Sequence, residues 1–245
     1  MGICENQFKF INDNCLKKLN LSGIKMLELG DQILNNHNHD NFNGIKTAKE
    51  FYTMKEINHT SFDWNGENGS IPVDLTKIDD NKKYNNMFNI ITNHGTTEHV
   101  LNQYNCFKNL HNWGDINCYY IHCVPLLGKE HKEYLGYEFP PHGDYEYSSK
   151  FWEELCLQNN YELVISKGDL VSNPAISFPK NYYSASCYIK KDNNQFMNEN
   201  DFYDIFNKYC INSKHRLSKK SHIEWKKSLP IEVLNKYPNI YPHLK

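Results

Sequence analysis

The residues best suited to moving a proton crowd into one stretch, "TNHGTTEHV", which carries His94, Glu98 and His99. An imidazole titrates near neutrality, so a histidine placed beside an attacking group can remove its proton. Glu98 and His99 would fall in a first helical turn, where a carboxylate also suits the helix dipole and is equally at home as a structural residue. A further histidine, His142, stands in "PPHGDYEYS", a Pro- and Gly-rich segment of the kind that closes over a ligand. Tyr134, Tyr137, Tyr145 and Tyr147 offer that segment flat, hydrogen-bonding surfaces suited to a sugar ring, or else simply pack it. His122 lies inside an apolar strand and reads as a satisfied core histidine. His37 and His39 in "NNHNHDNFN" have no cysteine or carboxylate at ligand spacing, so they read as solvated loop residues and no metal site is expected.

A second set of residues sits where strands end. "IKMLELGDQIL" runs as an apolar strand into Glu28, Leu29 and Gly30 and turns at Asp31-Gln32; the carboxyl ends of strands are where α/β sheets bind ligands. Asp63 closes "HTSFD" and Asp74 sits in "IPVDL" beside Leu75. The first turn has only one glycine of G-x-G-x-x-G, so it lacks the close backbone approach that a pyrophosphate requires, and a nicotinamide dinucleotide is disfavoured. S-adenosylmethionine carries no phosphate. Glu28 and the turn amides near Gly30 could meet its ammonium and carboxylate, Asp63 its ribose hydroxyls, and Asp74 with Leu75 its adenine. Each residue also has a structural reading: Glu28 bonded to a backbone amide, Asp63 as a turn former, Asp74 as a helix cap.

The elements that must position these groups alternate. A helix with Phe8, Ile11, Cys15, Leu16 and Leu19 on one face is expected within residues 1–21, then a strand, a short helix or connector from Ala48 to Ile57, and strands at His59–Asp63, around Ser70–Leu75 and at Met87–Thr92. Val100, Tyr104, Phe107 and His111 repeat at helical spacing, and a strand from Cys118 stops at Pro125. A helix from Phe151 to Asn160 precedes "YELVIS" and "NYYSASCYIK"; with no helix between them, these last two strands should pair antiparallel. Strand–helix alternation predicts a mostly parallel sheet with helices on both faces.

Composition narrows the function. A formal net charge of −2 over 245 residues provides no field for a polyanion, which disfavours a nucleic-acid binder; only Lys214–Lys227 hints at a basic surface and reads as a solvated helix face. Arg216 is the only arginine, so no arginine clamp for carboxylate or phosphate is available. Eight scattered cysteines without C-x-x-C spacing suggest reduced thiols in a cytoplasmic protein. No apolar run is long enough to span a bilayer, and no secretory leader is evident.

Five segments in order, "LELGDQ", "SFDWNG", "IPVDL", "FNIITNHGTTEHV" and "CYYIHCVP", resemble the successive motifs of class I S-adenosylmethionine-dependent methyltransferases. "TNHGTTEHV", "NQYN" and "FKNLHNW" resemble a small-molecule branch found among sugar and glycan genes. The resemblance covers about residues 22–191. It implies a Rossmann-like, seven-stranded, mostly parallel sheet with an antiparallel last strand, in a single domain of N-terminal helix (1–21), cofactor-binding core (22–191) and C-terminal helical extension (192–245). It further implies methionine-end contacts at Glu28, Leu29, Gly30 and Gln32, ribose contacts at Asp63 and Trp64, adenine contacts at Asp74 and Leu75, and a methyl-facing turn at Asn93, His94 and Gly95. The acceptor would be a small molecule, with a sugar or sugar-nucleotide the best guess, and His142, His94, Glu98 and His99 the acceptor-side groups. A tRNA methyltransferase and a non-catalytic nucleoside-binding module are the alternatives. Three departures stand out: Gln32 where the second glycine is common, Asn89 where an acidic residue is frequent, and "GDIN" at Gly114–Asn117 in place of a glycine pair.

Overall fold

The computed structural model describes residues 2–34, 44–79, 82–135, 143–171 and 182–212. Its centre is a seven-stranded sheet of β1 (Lys25–Leu29), β2 (Asn58–Asp63), β3 (Ile71–Pro72), β4 (Phe88–His94), β5 (Gly114–Pro125), β6 (Tyr161–Val171) and β7 (Tyr182–Lys190). The strand order is β3-β2-β1-β4-β5-β7-β6. β1 to β5 pair in parallel, and β7 runs antiparallel to both β5 and β6. The mostly parallel sheet with its antiparallel last strand is therefore as expected. Pro72 ends the shortest strand at one edge, where a missing N–H breaks no ladder bond.

Alternation along the strands sorts side chains to two helical layers. Met26, Ile90, Ile121, Cys123 and Cys187 pack on one side against Phe10 and Ile11 of α1 (Glu5–Asn14) and Ala48, Phe51 and Tyr52 of α2 (Ala48–Met54). Leu27, Leu29, Ile91, Val124 and Tyr188 pack on the other against α3 (Gln103–Trp113), α5 (Ser149–Gln158) and α6 (Glu199–Tyr209). A fourth helix in chain order, α4 (Gly128–Leu135), follows β5. Side-chain acceptors start the helices at the residues that prefer this role: Thr47 with Glu50 in a capping box on α2, Asn102 on α3, Ser148 on α5 and Asn198 on α6.

Several boundaries move from expectation. The N-terminal helix is shorter than residues 1–21, because Gly2–Ile3 forms a strand with Ile33–Leu34 and a 3-10 turn at Leu16–Lys18 follows α1. Val100 precedes α3 rather than joining it. "GDIN" lies inside β5, not before it: the register with β4 shifts between Phe88 and Ile90, and Asn117 takes up a φ of 65°. Gly114 is required there, since a Cβ would lie 2.1 Å from the Tyr120 hydroxyl. Asn89, where an acidic residue was anticipated, accepts the Lys25 backbone N–H at 3.0 Å. All eight cysteines are free and seven are buried. Among the described residues no helix is long and apolar enough to cross a membrane. His37, His39, His142, Tyr137 and Lys214–Lys227 lie outside the described residues, as does the side chain of Tyr134.

Candidate active site

A cavity of about 430 Å³ opens at the carboxyl ends of β1, β2 and β4. Its floor is the turn after β1. Gly30 holds a φ of +78°, and a Cβ there would come within 2.7 Å of Thr96 Oγ1 and 2.8 Å of Gln32 Nε2, so both conformation and space demand glycine. Thr96 Oγ1 donates to the Leu29 carbonyl at 2.9 Å, tying the turn after β4 to the turn after β1. Gln32 is 1% exposed and folds back so that its Nε2 donates to the Leu29 carbonyl at 3.2 Å. Its Oε1 has no hydrogen-bond partner among the described residues, an acceptor left over in the wall of the cavity.

Asp63 stands at the end of β2. Its Oδ2 accepts the Asp31 backbone N–H at 3.0 Å and its Oδ1 that of Asn65 at 3.3 Å. The carboxylate thus shapes two turns and still faces the cavity, with lone pairs to spare. Trp64 beside it is 84% exposed. Phe62, Val73, Leu75 and Val100 make the apolar part of the wall. Asp74 is committed to its own turn: it accepts from the Thr76 hydroxyl and backbone N–H and lies 3.0 Å from Lys77 Nζ. The Thr76 hydroxyl and Lys77 hold its carboxyl down at about 2. In the sequence Thr96 and Val73 carry no assigned role and Val100 only a helical one; Thr96 is the second residue past His94, and its hydroxyl beside a one-glycine turn is the signal that could have found it.

Glu28 lies elsewhere. At 1% exposure it points to the α2 side of the sheet, where Oε2 is 3.3 Å from His59 Nε2 and His59 stacks on Tyr52 at 5.7 Å between ring centroids. Burial raises its carboxyl above the ordinary range against the opposing pull of His59 and the Gln32 backbone N–H, which it accepts. Glu28 holds the turn from behind and does not line the cavity, and Leu29 contributes its carbonyl to Thr96 and Gln32.

The turn after β4 is a dense polar network. Asn93 Oδ1 accepts the backbone N–H of Thr96 and Thr97, and its Nδ2 donates to Thr97 Oγ1 at 2.8 Å and meets His122 Nδ1 at 3.0 Å. His122 Nε2 meets the Tyr188 hydroxyl at 3.0 Å, so His122 is the satisfied core histidine anticipated. The Tyr147 hydroxyl donates to Gln103 Oε1 at 2.7 Å and meets the Thr97 hydroxyl at 3.2 Å, and Tyr145 donates to the Leu101 carbonyl. Both tyrosines are buried, which fits the packing alternative of their two readings: they pack against α5 and α6. Asn93, His94, Gly95 and Glu98 lie outside the cavity wall, whereas His99 is in it. His94 is 2% exposed, Glu98 1%. Burial lowers the His94 imidazole to about 3 and raises the Glu98 carboxyl to about 8.

No protein-family model matches the sequence, and no curated protein matches it. Solved structures do. A putative S-adenosylmethionine-dependent methyltransferase from Listeria monocytogenes aligns with 76% of this chain and 97% of its own at 8% identity, with a TM-score of 0.52. A putative sarcosine dimethylglycine methyltransferase from Galdieria sulphuraria covers 76% of this chain and 85% of its own at 10% identity, TM-score 0.48. The 1,6-didemethyltoxoflavin-N1-methyltransferase of Burkholderia thailandensis covers 77% and 78% at 10% identity, TM-score 0.47. Such identities speak to fold alone, and the Listeria alignment carries that statement together with the strand order. The chain has the class I S-adenosylmethionine-dependent methyltransferase fold.

Proposed function

We propose that this protein binds S-adenosylmethionine and transfers its methyl group to a small molecule. The observation that carries this reading is the cavity itself, at the carboxyl ends of β1, β2 and β4, whose floor is a one-glycine turn with an uncommitted buried amide oxygen. Such a floor has no nest of backbone amides for a pyrophosphate, but Gln32 Oε1 can accept from an ammonium. Gln32 and the turn at Gly30–Asp31 would hold the methionine end, Asp63 the ribose hydroxyls, and Leu75, Val73 and Val100 the adenine faces, with Trp64 at the rim. Glu28 would act behind the turn through the Gln32 backbone, and Asp74 through the shape of its own turn. When bound, the cofactor supplies a methyl carbon already activated by a sulfonium.

What remains for the chain is alignment, exclusion of water and handling of one proton. His94, Glu98 and His99 on the turn after β4 are the acceptor-side groups, with His142, adjacent in sequence to Gly143, as a further candidate base. A sugar or sugar-nucleotide is the acceptor that the motif resemblance favours. The net charge of −2 speaks against a nucleic-acid acceptor. Calorimetric titration with S-adenosylhomocysteine and, in parallel, NAD tests the reading. Saturable binding of the first and none of the second is expected; the opposite result, or no binding of either, overturns it.

A further inference from the structure

The polar groups in the wall of the cofactor cavity are weighted to one sign. Three carboxylates stand in it, Asp31, Asp63 and Asp74, and among the described residues no lysine or arginine does. Asp74 is answered from outside the wall by Lys77 at 3.0 Å. The other two meet neutral donors among the described residues: Asp63 accepts the backbone N–H groups of Asp31 and Asn65, and Asp31 Oδ2 accepts the Asn68 side-chain amide. Lys49 approaches the same loop at Gly69 but is not in the wall. The imidazole in the wall, that of His99, has its Nε2 3.8 Å from Glu98 Oε1.

The neutral groups add to the imbalance. Gln32 is 1% exposed, and its Oε1 has no hydrogen-bond partner among the described residues. Thr96 directs its hydroxyl proton to the Leu29 carbonyl and Thr76 to Asp74, so lone pairs are what these hydroxyls can offer a ligand. Asp31 and Asp63 are held close together. Beyond the hydrogen bond between them, Asp63 Oδ2 lies 3.9 Å from where a Gly30 Cβ would stand, and Asn68 sits in a loop closed by bonds from Ser70 to the Glu67 carbonyl. Carboxylates of one sign in a concave wall focus a negative potential into the cavity. A ligand that brings positive charge relieves their mutual repulsion.

We propose that Asp31 is a specificity-determining residue, which makes the site select the cationic cofactor over its neutral product. This rests on the methyltransfer reading and adds to it the charge that the site recognises. S-adenosylmethionine carries an ammonium, a carboxylate and a sulfonium, and so one net positive charge; S-adenosylhomocysteine lacks the sulfonium and is neutral overall. The sulfur joins the methionine end to the ribose, so it belongs between the groups that would hold those two parts, the Gly30–Asp31 turn and Asp63. A sulfonium has no N–H or O–H to donate. Carboxylates therefore act on it through space, and the product, without that charge, is held less tightly and leaves more readily. Asp63 already serves two turn amides and would serve the ribose hydroxyls, whereas among the described residues Asp31 serves the Asn68 amide.

Calorimetric titration of the full chain with three ligands tests this: S-adenosylmethionine, S-adenosylhomocysteine, and sinefungin, which carries an ammonium in place of the methylsulfonium. The readout is the ratio of affinities, which divides out any general loosening of the turn. At low salt the wild-type protein should bind both cations about fivefold or more tightly than S-adenosylhomocysteine, and the margin should shrink to about twofold or less at about 0.5 M salt, where charges are screened within a few ångströms. Asp31→Asn keeps an acceptor for Asn68 and removes the charge, so the low-salt margin should fall about threefold, while Asp31→Glu should retain it. Equal binding of cationic and neutral ligands by the wild-type protein, a margin unmoved by salt, or an unchanged margin in Asp31→Asn overturns the proposal and leaves the cofactor reading standing. Absence of binding by all three ligands overturns the cofactor reading, and the proposal with it.

Discussion

Asp63 shows how one side chain can serve structure and ligand together. Its two oxygens accept backbone N–H groups from Asp31 and Asn65, yet it remains in the cavity wall. Asp63→Ala should weaken S-adenosylhomocysteine binding by about 1.5–3 kcal/mol, the range for hydrogen bonds to a charged group. It should also lower the melting temperature, because two turn amides lose their acceptor. A calorimetric titration paired with a thermal melt separates the two effects; unchanged affinity would take Asp63 out of the site. Gln32 and Glu28 divide a role that the sequence suggested they share. Glu28 lies in the layer behind because alternation along β1 puts it on the face of Met26, whereas Gln32 lies past the end of β1, beyond the turn at Gly30, and reaches the cavity wall.

At the scale of elements, the join between α3 and β5 depends on a residue distant in sequence, on the neighbouring strand β7. Lys190, the last residue of β7, is buried at 2% exposure. Its Nζ donates to the carbonyls of His111 and Gly114 at 2.9 Å, near the end of α3, where a cation also opposes the helix dipole. Lys190→Met keeps much of the volume but orphans two carbonyls, and should destabilise the protein by ~2–4 kcal/mol. Urea denaturation would show this as a lower midpoint at unchanged slope. A loss under about 0.5 kcal/mol would mean that the carbonyls find other partners. The rigid join matters for the site because β5 supplies His122, which holds Asn93 and through it the turn carrying His94 and Glu98.

For the whole molecule, buried titratable groups set a pH window of stability. Burial holds His94 and His122 at about 3 and His111 at about 4, against an ordinary 6.5. Each therefore takes up a proton on unfolding between those limits, so their contribution is present above pH 6.5 and is lost as pH falls. Three such sites cost up to about 4 kcal/mol per pH unit, comparable with the whole stability of a typical domain within two units. Acid unfolding around pH 5 is the expected result. Glu98 has the opposite sign: with its carboxyl raised from 4.5 to about 8, its contribution is present below 4.5 and lost as pH rises toward 8. Denaturation curves collected from pH 5 to 9 should therefore fall off on both sides, and Glu98→Gln should flatten the alkaline side alone. A wild-type profile level from pH 5 to 7 would contradict the buried neutral histidines.

The local features of the chain were legible without coordinates because they depend on near neighbours. Apolar periodicity marked the strands and helices, capping residues such as Ser148 marked helix starts, and the single glycine at Gly30 excluded a pyrophosphate cradle. The lack of a helical pattern in the sequence between "YELVIS" and "NYYSASCYIK" announced the antiparallel last pair. What tertiary structure decided was the use of each polar group, since that depends on partners distant in sequence. Glu28 and Asp63 look alike as strand-end carboxylates, but His59 on the adjacent strand draws one behind the sheet while Asp31 leaves the other in the cavity. Tyr145 and Tyr147 look like ligand surfaces until Leu101, Thr97 and Gln103 consume their hydroxyls. Glu98 reads as an ordinary first-turn carboxylate in the sequence. Only the packing of Gly143 and Asp144 over it makes it a buried carboxyl with no hydrogen bond to its oxygens among the described residues and His99 3.8 Å away.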